Sequence, residues 1–203
     1  MADLVTLQQY KDFAGLTSIK NDARINVVID QVSQLVKTYC GSTIIDYAST
    51  NKVEYKNIKD SIVDTIILDE SPLIQVVSVQ ERTSQADAYV TLITENSDSS
   101  GKYEYVVNDD SDSITRTSGS GNKSWPKGPK SVKVVYKAGY VSTPDDLKLA
   151  VFDLIKYYLK DERKERMTIA GATVENAVSS SLTGNIGFPD HIKRILDMYK
   201  IYS

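Results

Sequence analysis

The chain is poor in the residues from which most active sites are built. It holds one cysteine, Cys40, and one histidine, His191, among 203 residues. A single cysteine excludes an internal disulfide and suits a reducing compartment. One histidine and one cysteine cannot furnish the nitrogen and sulfur ligands of an ordinary zinc site. A Ser-His-Asp or Cys-His relay would have to be built on His191. That residue stands beside Asp190 and Lys193 in the first turn of a short terminal helix, the place of a solvated side chain. Long apolar runs are missing too, and none approaches the ~20 residues of a membrane span. Met1-Ala2-Asp3-Leu4 offers no basic stretch followed by an apolar one, so no secretion signal is expected. Positive charge is not in excess either. The formal net charge of -3 argues against the basic footprint that general nucleic-acid binding requires.

What remains is an ordinary globular composition, 41% hydrophobic and 25% charged, in a chain long enough to bury a real core as one domain with an elaborate insertion. Tyrosine is the exception: 13 residues against 3 phenylalanines and 1 tryptophan. Tyrosine suits surfaces half buried against something else, and it also suits β-rich structure.

The pattern of apolar residues changes along the chain. Thr6 is an N-cap candidate for a short helix with Leu7, Tyr10 and Phe13 on one face and Gly15 as its stop. A longer helix is predicted from Asn21 or Asp22 to Tyr39. Its stripe of Ile25, Val28, Ile29, Val32, Leu35, Val36 and Tyr39 has helical spacing, and Gly41 closes it. Between 43 and 140 the period shortens to that of strands, at 65–68, 73–79, 89–93, 103–107 and 132–136, separated by turn-forming clusters. The connections are too short for helical crossovers, which makes the unit antiparallel. Ala138-Gly139-Tyr140 ends the last strand, and a helix over 141–166 follows, with Thr143 as cap, Pro144 in its first position and Asp145 and Asp146 at its positive end. Residues 167–187 are small and polar and read as a mobile loop. A short helix within 188–203 presents Phe188, Ile192, Ile195, Leu196 and Tyr199. The expected fold class is α+β: a helical bundle of two N-terminal helices (1–42), a long helix and a C-terminal helix, interrupted by an antiparallel β unit.

Three stretches invite a chemical reading and fail it. Asn108-Asp109-Asp110-Ser111-Asp112 lacks the glycine and distal glutamate of a calcium loop, and reads as a solvated hairpin tip. Gly119-Ser120-Gly121-Asn122-Lys123-Ser124 has no glycine before Lys123 and no helix after it, because Trp125-Pro126 intervene. It cannot cradle a phosphate as a nucleotide loop does. Arg163, Lys164 and Arg166 alternate with Asp161, Glu162 and Glu165. Such a nearly neutral run serves pairs within or between subunits, with Glu162 and Arg166 at i, i+4. No catalytic residue, cofactor or metal is expected.

Three segments together resemble the head–tail adaptor (connector) proteins of tailed bacteriophages. The opening Leu4-Val5-Thr6-Leu7 with the helix ending Val36-Lys37-Thr38-Tyr39-Cys40-Gly41 is similar to the N-terminal helices of that family. Ser124-Trp125-Pro126-Lys127-Gly128, followed by Val132-Lys133-Val134-Val135-Tyr136-Lys137-Ala138-Gly139-Tyr140, resembles its Trp-Pro and Ala-Gly-Tyr stretch. Pro144-Asp145-Asp146-Leu147-Lys148-Leu149-Ala150, leading to Tyr157-Tyr158 and Asp161-Glu162-Arg163, resembles its next helix and charged end. The β stretch of 43–123 is longer than in compact members, and 168–187 with the last helix has no counterpart matched residue by residue.

The resemblance implies a structural virion protein of the neck, assembled in the host cytoplasm. Its subunits would form a homo-oligomeric ring of about twelve below the portal. The ring would extend the DNA channel and offer a platform to tail or stopper proteins, with no membrane involved. It also implies that the C-terminal segment engages the portal, through Phe188, Ile192, Ile195, Leu196 and Tyr199. The same stripe equally suits packing back on its own bundle. Arg163, Lys164 and Arg166 are the candidate subunit interface. The acidic stretch that includes Asp98, Asp109, Asp110 and Asp112 serves either as a channel lining that repels DNA phosphates or as a solubilising outer loop. In an adaptor, the glycine exit at 138–140 and the proline-started helix would fix the angle between β unit and bundle. A tail or neck completion protein and a β-rich host- or glycan-binding module are the alternatives, although the latter needs no helices with bundle stripes. A transcription regulator would need a basic recognition helix, which the Asn21–Tyr39 segment is not.

Overall fold

The structure, a computed structural model, describes residues 2–93, 103–118, 121–160 and 188–201, and the backbone of 166–169 and 172–175. In chain order its elements begin with α1 (Leu7–Ala14), α2 (Asp22–Cys40), β1 (Lys52–Ile58), β2 (Thr65–Ile67), β3 (Leu73–Glu81) and β4 (Val90–Thr91). They continue with β5 (Tyr105–Asn108), a 3-10 turn (Asp109–Ser111), β6 (Ser113–Ser118), β7 (Gly121–Asn122) and β8 (Gly128–Ala138). The chain then forms α3 (Asp145–Leu159), β9 (Arg166–Ile169), β10 (Ala172–Glu175) and α4 (Asp190–Met198). This is the expected α+β class. The chain divides into a helical unit drawn from 1–42 and 142–202 and a β unit drawn from 43–141.

In the helical unit α1 starts where its cap dictates. The Thr6 side chain accepts from the Gln9 amide at 3.2 Å, and the Gln9 side chain accepts from the Thr6 amide at 2.8 Å. This reciprocal box satisfies two amides that the first turn leaves without partners. Gly15 and Gly41 close α1 and α2 in the left-handed conformation. The stripe of α2 is buried at Ile25, Ile29, Val32 and Val36, and that of α3 at Leu147, Ala150, Val151, Leu154 and Ile155. Each large aliphatic so buried stabilises the fold by about 1.5–3 kcal/mol relative to exposure.

Two expectations are corrected here. Thr143 does not cap α3: its hydroxyl donates to the Leu4 carbonyl at 2.6 Å, Pro144 occupies the cap position without a side-chain bond, and the helix begins at Asp145. A buried hydroxyl with a carbonyl in reach is satisfied there, so it is not free to serve the helix end. The helix also stops at Leu159 instead of running to 166. Arg166 opens β9, which pairs antiparallel with β10, so part of the expected 167–187 loop is paired strand, and Glu162 of the expected i, i+4 pair lies outside the described residues.

The β unit is wholly antiparallel. One sheet has the order β1-β8-β3-β4 and the other β2-β6-β5, with β7 continuing on β6. Their inward residues form one core that includes Ile66, Val79, Ile114, Trp125, Val132, Val134 and Tyr136. β8 is the spine, alternating buried Val132, Val134, Tyr136 and Ala138 with half-buried Lys133, Val135 and Lys137. Its end explains the Ala-Gly-Tyr stretch. Gly139 has φ +96, and a Cβ there would lie 2.4 Å from the Ile44 carbonyl oxygen. That same oxygen accepts from the Tyr140 amide at 2.8 Å, while the Gly139 amide donates to Pro72 at 2.8 Å. Only glycine allows the two backbones this approach.

Candidate functional site

Polar side chains inside the β unit are spent on structure. Arg116 of β6 is 2% exposed. Its Nε and Nη2 donate to the Glu81 carboxylate at 2.9 and 2.8 Å, and Nη1 donates to the carbonyls of Glu104 and Thr117 at 2.6 and 2.7 Å. Because Glu81 lies on β3, this bidentate pair bolts one sheet to the other. A second cluster surrounds Glu54 of β1, which accepts from the Tyr136 hydroxyl, pairs with Lys56 and caps the Asp69 amide at 3.2 Å. Burial, then Glu54, pushes the Tyr136 hydroxyl well above the usual tyrosine range. Burial alone would lower the Lys56 ammonium, but its bonds to Asp69 and Glu54 outweigh it and hold the pKa above the ordinary lysine value. Both clusters tie strands to one another, and the Trp125 indole N–H beside Arg116 is left without a hydrogen-bond partner.

The cysteine and the histidine stand apart from both clusters. Cys40 is buried, and that burial, followed by the nearby Asp197 charge, pushes its thiol up to about 12. His191 is exposed on α4. No group of three His, Cys, Asp or Glu side chains that could hold a metal ion occurs among the described residues. None of the described helices is long and apolar enough to cross a membrane. A polar groove of about 490 Å³ runs along β5 and β6, lined by Tyr103, Val106, Asn108, Thr115, Thr117 and Asn122. Asn108 already donates to Ser113 and Thr115 there.

Of the five residues expected to meet either the portal or their own bundle, three lie inside the helical unit. Phe188, Ile192 and Leu196 are buried to 2% exposure or less. Tyr39 meets Phe188 edge to face at 5.1 Å and donates to Asp197 at 2.5 Å, and Tyr199 donates to Asp146 at 2.6 Å. The Ile201 amide donates to the Cys40 carbonyl at 2.9 Å. A nine-residue helix is marginal alone, so its apolar stripe seals the bundle. What α4 leaves outside is His191, Arg194 and, at 75% exposure, Met198.

The other candidates scatter. Asp109 and Asp110 are exposed in the 3-10 turn between β5 and β6. Asp112 is not a free loop acid. It sits at φ 46, its carboxylate accepts from the Leu73 amide at 2.5 Å, and its carbonyl accepts from Leu68 at 2.9 Å. A short Asx side chain tolerates this backbone and satisfies two amides. Asp98, Arg163 and Lys164 lie outside the described residues, and Arg166 is placed only as the first residue of β9.

The face that sequence reading missed is the solvent side of the β1-β8-β3-β4 sheet. Strand register puts Val53, Val135 and Ser78 in one row and Tyr55, Lys133 and Gln80 in the next. Two bulges in β3 set Ile74 and Val77 out at 48% and 46% exposure, beside Val53 at 49% and Tyr55 at 44%. Tyr89 stands 6.2 Å from the Tyr55 ring, with Arg82 4.8 Å and Lys133 6.0 Å from its centroid, while Lys130 lies 5.5 Å from the Tyr55 centroid.

Among the described residues the buried polar groups tie strands together, and comparison with known proteins supplies the family. The family model described as head completion protein matches residues 3–202. The chain belongs to the head completion protein family. Solved structures share its fold. A chain from the neck of an empty gene transfer agent particle, computed with C6 symmetry, aligns with TM-score 0.58 at 12% identity, covering 98% of this chain and 91% of that one. A chain from the neck of the native particle, computed with C12 symmetry, gives 0.56 at 12% identity over 100% and 95%. One from the virion of the native particle gives 0.54 at 14% over 98% and 91%. No curated protein matches the sequence. The resemblance drawn from the Trp-Pro, Ala-Gly-Tyr and Pro-Asp-Asp-Leu-Lys segments to phage head–tail connector proteins therefore holds.

Proposed function

We propose that the chain is a non-enzymatic structural subunit of the virion neck. It forms a ring of about twelve copies that docks below the portal, extends the DNA channel and receives tail or stopper proteins. The observation that carries this reading is the family match over residues 3–202. The fold shared with neck chains solved under C6 and C12 symmetry supports it. A ring subunit needs rigid modules and repeated interfaces, and cyclic closure makes each interface heterologous. Closed polar clusters and a sealed bundle supply the rigidity.

Because the apolar stripe of α4 is occupied, the portal contact is assigned to its outer side, around Arg194 and Met198. Mass photometry and negative-stain imaging of the purified protein, alone and with its portal, test the reading. Rings, or portal particles carrying an added ring, are the expected result, and a protein that stays a lone, unattached monomer with portal present would refute it. Deleting residues 186–203 would open the helical core, so the portal contact is better probed with Arg194→Glu and Met198→Asp, which should weaken portal binding at least tenfold while leaving thermal unfolding unchanged.

A further inference from the structure

We infer that the solvent face of the β1-β8-β3-β4 sheet is where one copy receives the next, and that the incoming element is the Asp109–Asp110 turn of the neighbouring copy. This inference rests on the ring reading and names its contact.

The face has the composition of an interface. Val53, Ile74, Val77 and Tyr55 are each 44–49% exposed on one side of one sheet. Scattered apolar residues need no explanation, but a contiguous set of this kind marks a surface that becomes covered. Around it stand Arg82, Lys130, Lys133 and Lys137, and Tyr55 and Tyr89 are already held beneath three of those cations. Protein interfaces enrich tyrosine and arginine, here Tyr55, Tyr89 and Arg82, while lysines belong to their charged rims. No Asp or Glu occupies an outward position of β1, β3 or β8: these positions hold Val53, Tyr55 and Asn57, then Gln75, Ser78 and Gln80, then Lys133, Val135 and Lys137. The charged outward positions of these three strands, Lys133 and Lys137, are both cationic in a chain whose net charge is -3, and the acid at the rim is Asp87, which accepts from the Thr83 hydroxyl.

The occupant follows from charge, read within the ring. The same β unit exposes two adjacent carboxylates, Asp109 and Asp110, at the tip of the β5–β6 connection. A cationic face and an acidic tip on different elements of one subunit are opposite in charge, so one copy can meet the next through them. Repeated head to tail, that pairing is the heterologous contact the proposed ring requires. Complementary charge would steer the approach, and the apolar patch would hold it. Duplex DNA is the competing occupant for a cationic face, but half-exposed valine and isoleucine side chains gain nothing against a phosphate backbone.

Charge swapping tests the assignment. Lys133→Glu with Lys137→Glu, and separately Asp109→Lys with Asp110→Lys, should each lower the ring fraction at least tenfold, with circular dichroism and melting unchanged. Combining all four substitutions in one chain should restore rings, as should mixing the two double variants, since each then offers the other an opposite charge. Rings undiminished in either double variant would overturn the inference, and so would a folded quadruple variant that does not recover. Loss of DNA retention in K133E/K137E with rings intact would give the face to nucleic acid instead. Should the native chain itself form no ring with portal present, the neck reading falls on that result. The contact is then judged by analytical ultracentrifugation of the two double variants: association of the mixture upholds it, and its absence rejects it.

Discussion

Replacing Arg116 by methionine should destabilise the β unit far more than the loss of a surface ion pair would. The guanidinium makes four hydrogen bonds, two to Glu81 and one each to the carbonyls of Glu104 and Thr117. Its side chain is 2% exposed and that of Glu81 is 14% exposed. Arg116→Met strands the Glu81 carboxylate in a place water reaches poorly, and breaking a buried pair from one side costs about 3–5 kcal/mol. The residual exposure of Glu81 favours the lower end, about 3 kcal/mol. The Glu104 carbonyl adds little, because it also accepts from the Thr117 amide at 2.8 Å. Urea unfolding followed by the fluorescence of Trp125 is the assay. Trp125 is the only tryptophan, it is buried in this core, and its ring lies 5.9 Å from the guanidinium. Adding Glu81→Leu to Arg116→Met removes the stranded charge and should recover most of the loss, leaving the double variant within about 1 kcal/mol of the native chain. A single variant that loses less than about 1 kcal/mol, as exposed pairs do, would refute the bolt between sheets. A double variant no better than the single one would show that charge was not the cause.

Two further outcomes follow from backbone and burial. Gly139→Ala should cost at least about 2 kcal/mol, because φ is +96 and the new methyl meets the Ile44 carbonyl at 2.4 Å; Gly15→Ala, at φ +65 with nothing within 4 Å, should cost about 1 kcal/mol, and equal losses by urea unfolding would discount the close approach. Alkaline pH should weaken the fold through groups whose pKa is raised in the native state: the Cys40 thiol goes from 9.0 to about 12, and the Tyr10 and Tyr136 hydroxyls also rise. Their contribution is complete below the unfolded value and is lost as pH climbs toward the folded one, so the urea midpoint should fall between about pH 9 and pH 12, Cys40→Ser should flatten that fall, and a thiol reagent should label Cys40 only as fast as the helical unit opens.

The helices were legible because an amphipathic stripe is a local signal: Ile25, Ile29, Val32 and Val36 declare α2 at a spacing that no distant contact can alter. The strands with apolar inward positions, β2, β3 and β8, declared themselves in the same way. β1 and β6 did not. Their inward residues include Glu54 and Arg116, and a strand that buries a charge reads as a loop until its partners, Tyr136 and Glu81, are known to face it. Glu54 and Tyr136 are 82 positions apart, beyond any periodicity. The candidate interface was hidden for a related reason. Val53 and Val135 look like two ordinary strand residues until register pairs them, and Ile74 and Val77 look like core until two bulges turn them to solvent. The stripe of α4 was legible by half. Its spacing correctly announced that Phe188, Ile192 and Leu196 must be covered, but the spacing is the same whether the cover is another protein or the helix's own bundle. Amphipathicity fixes that a face is buried and is silent about by what; here the answer came from Tyr39 and Cys40, nearly the whole chain away.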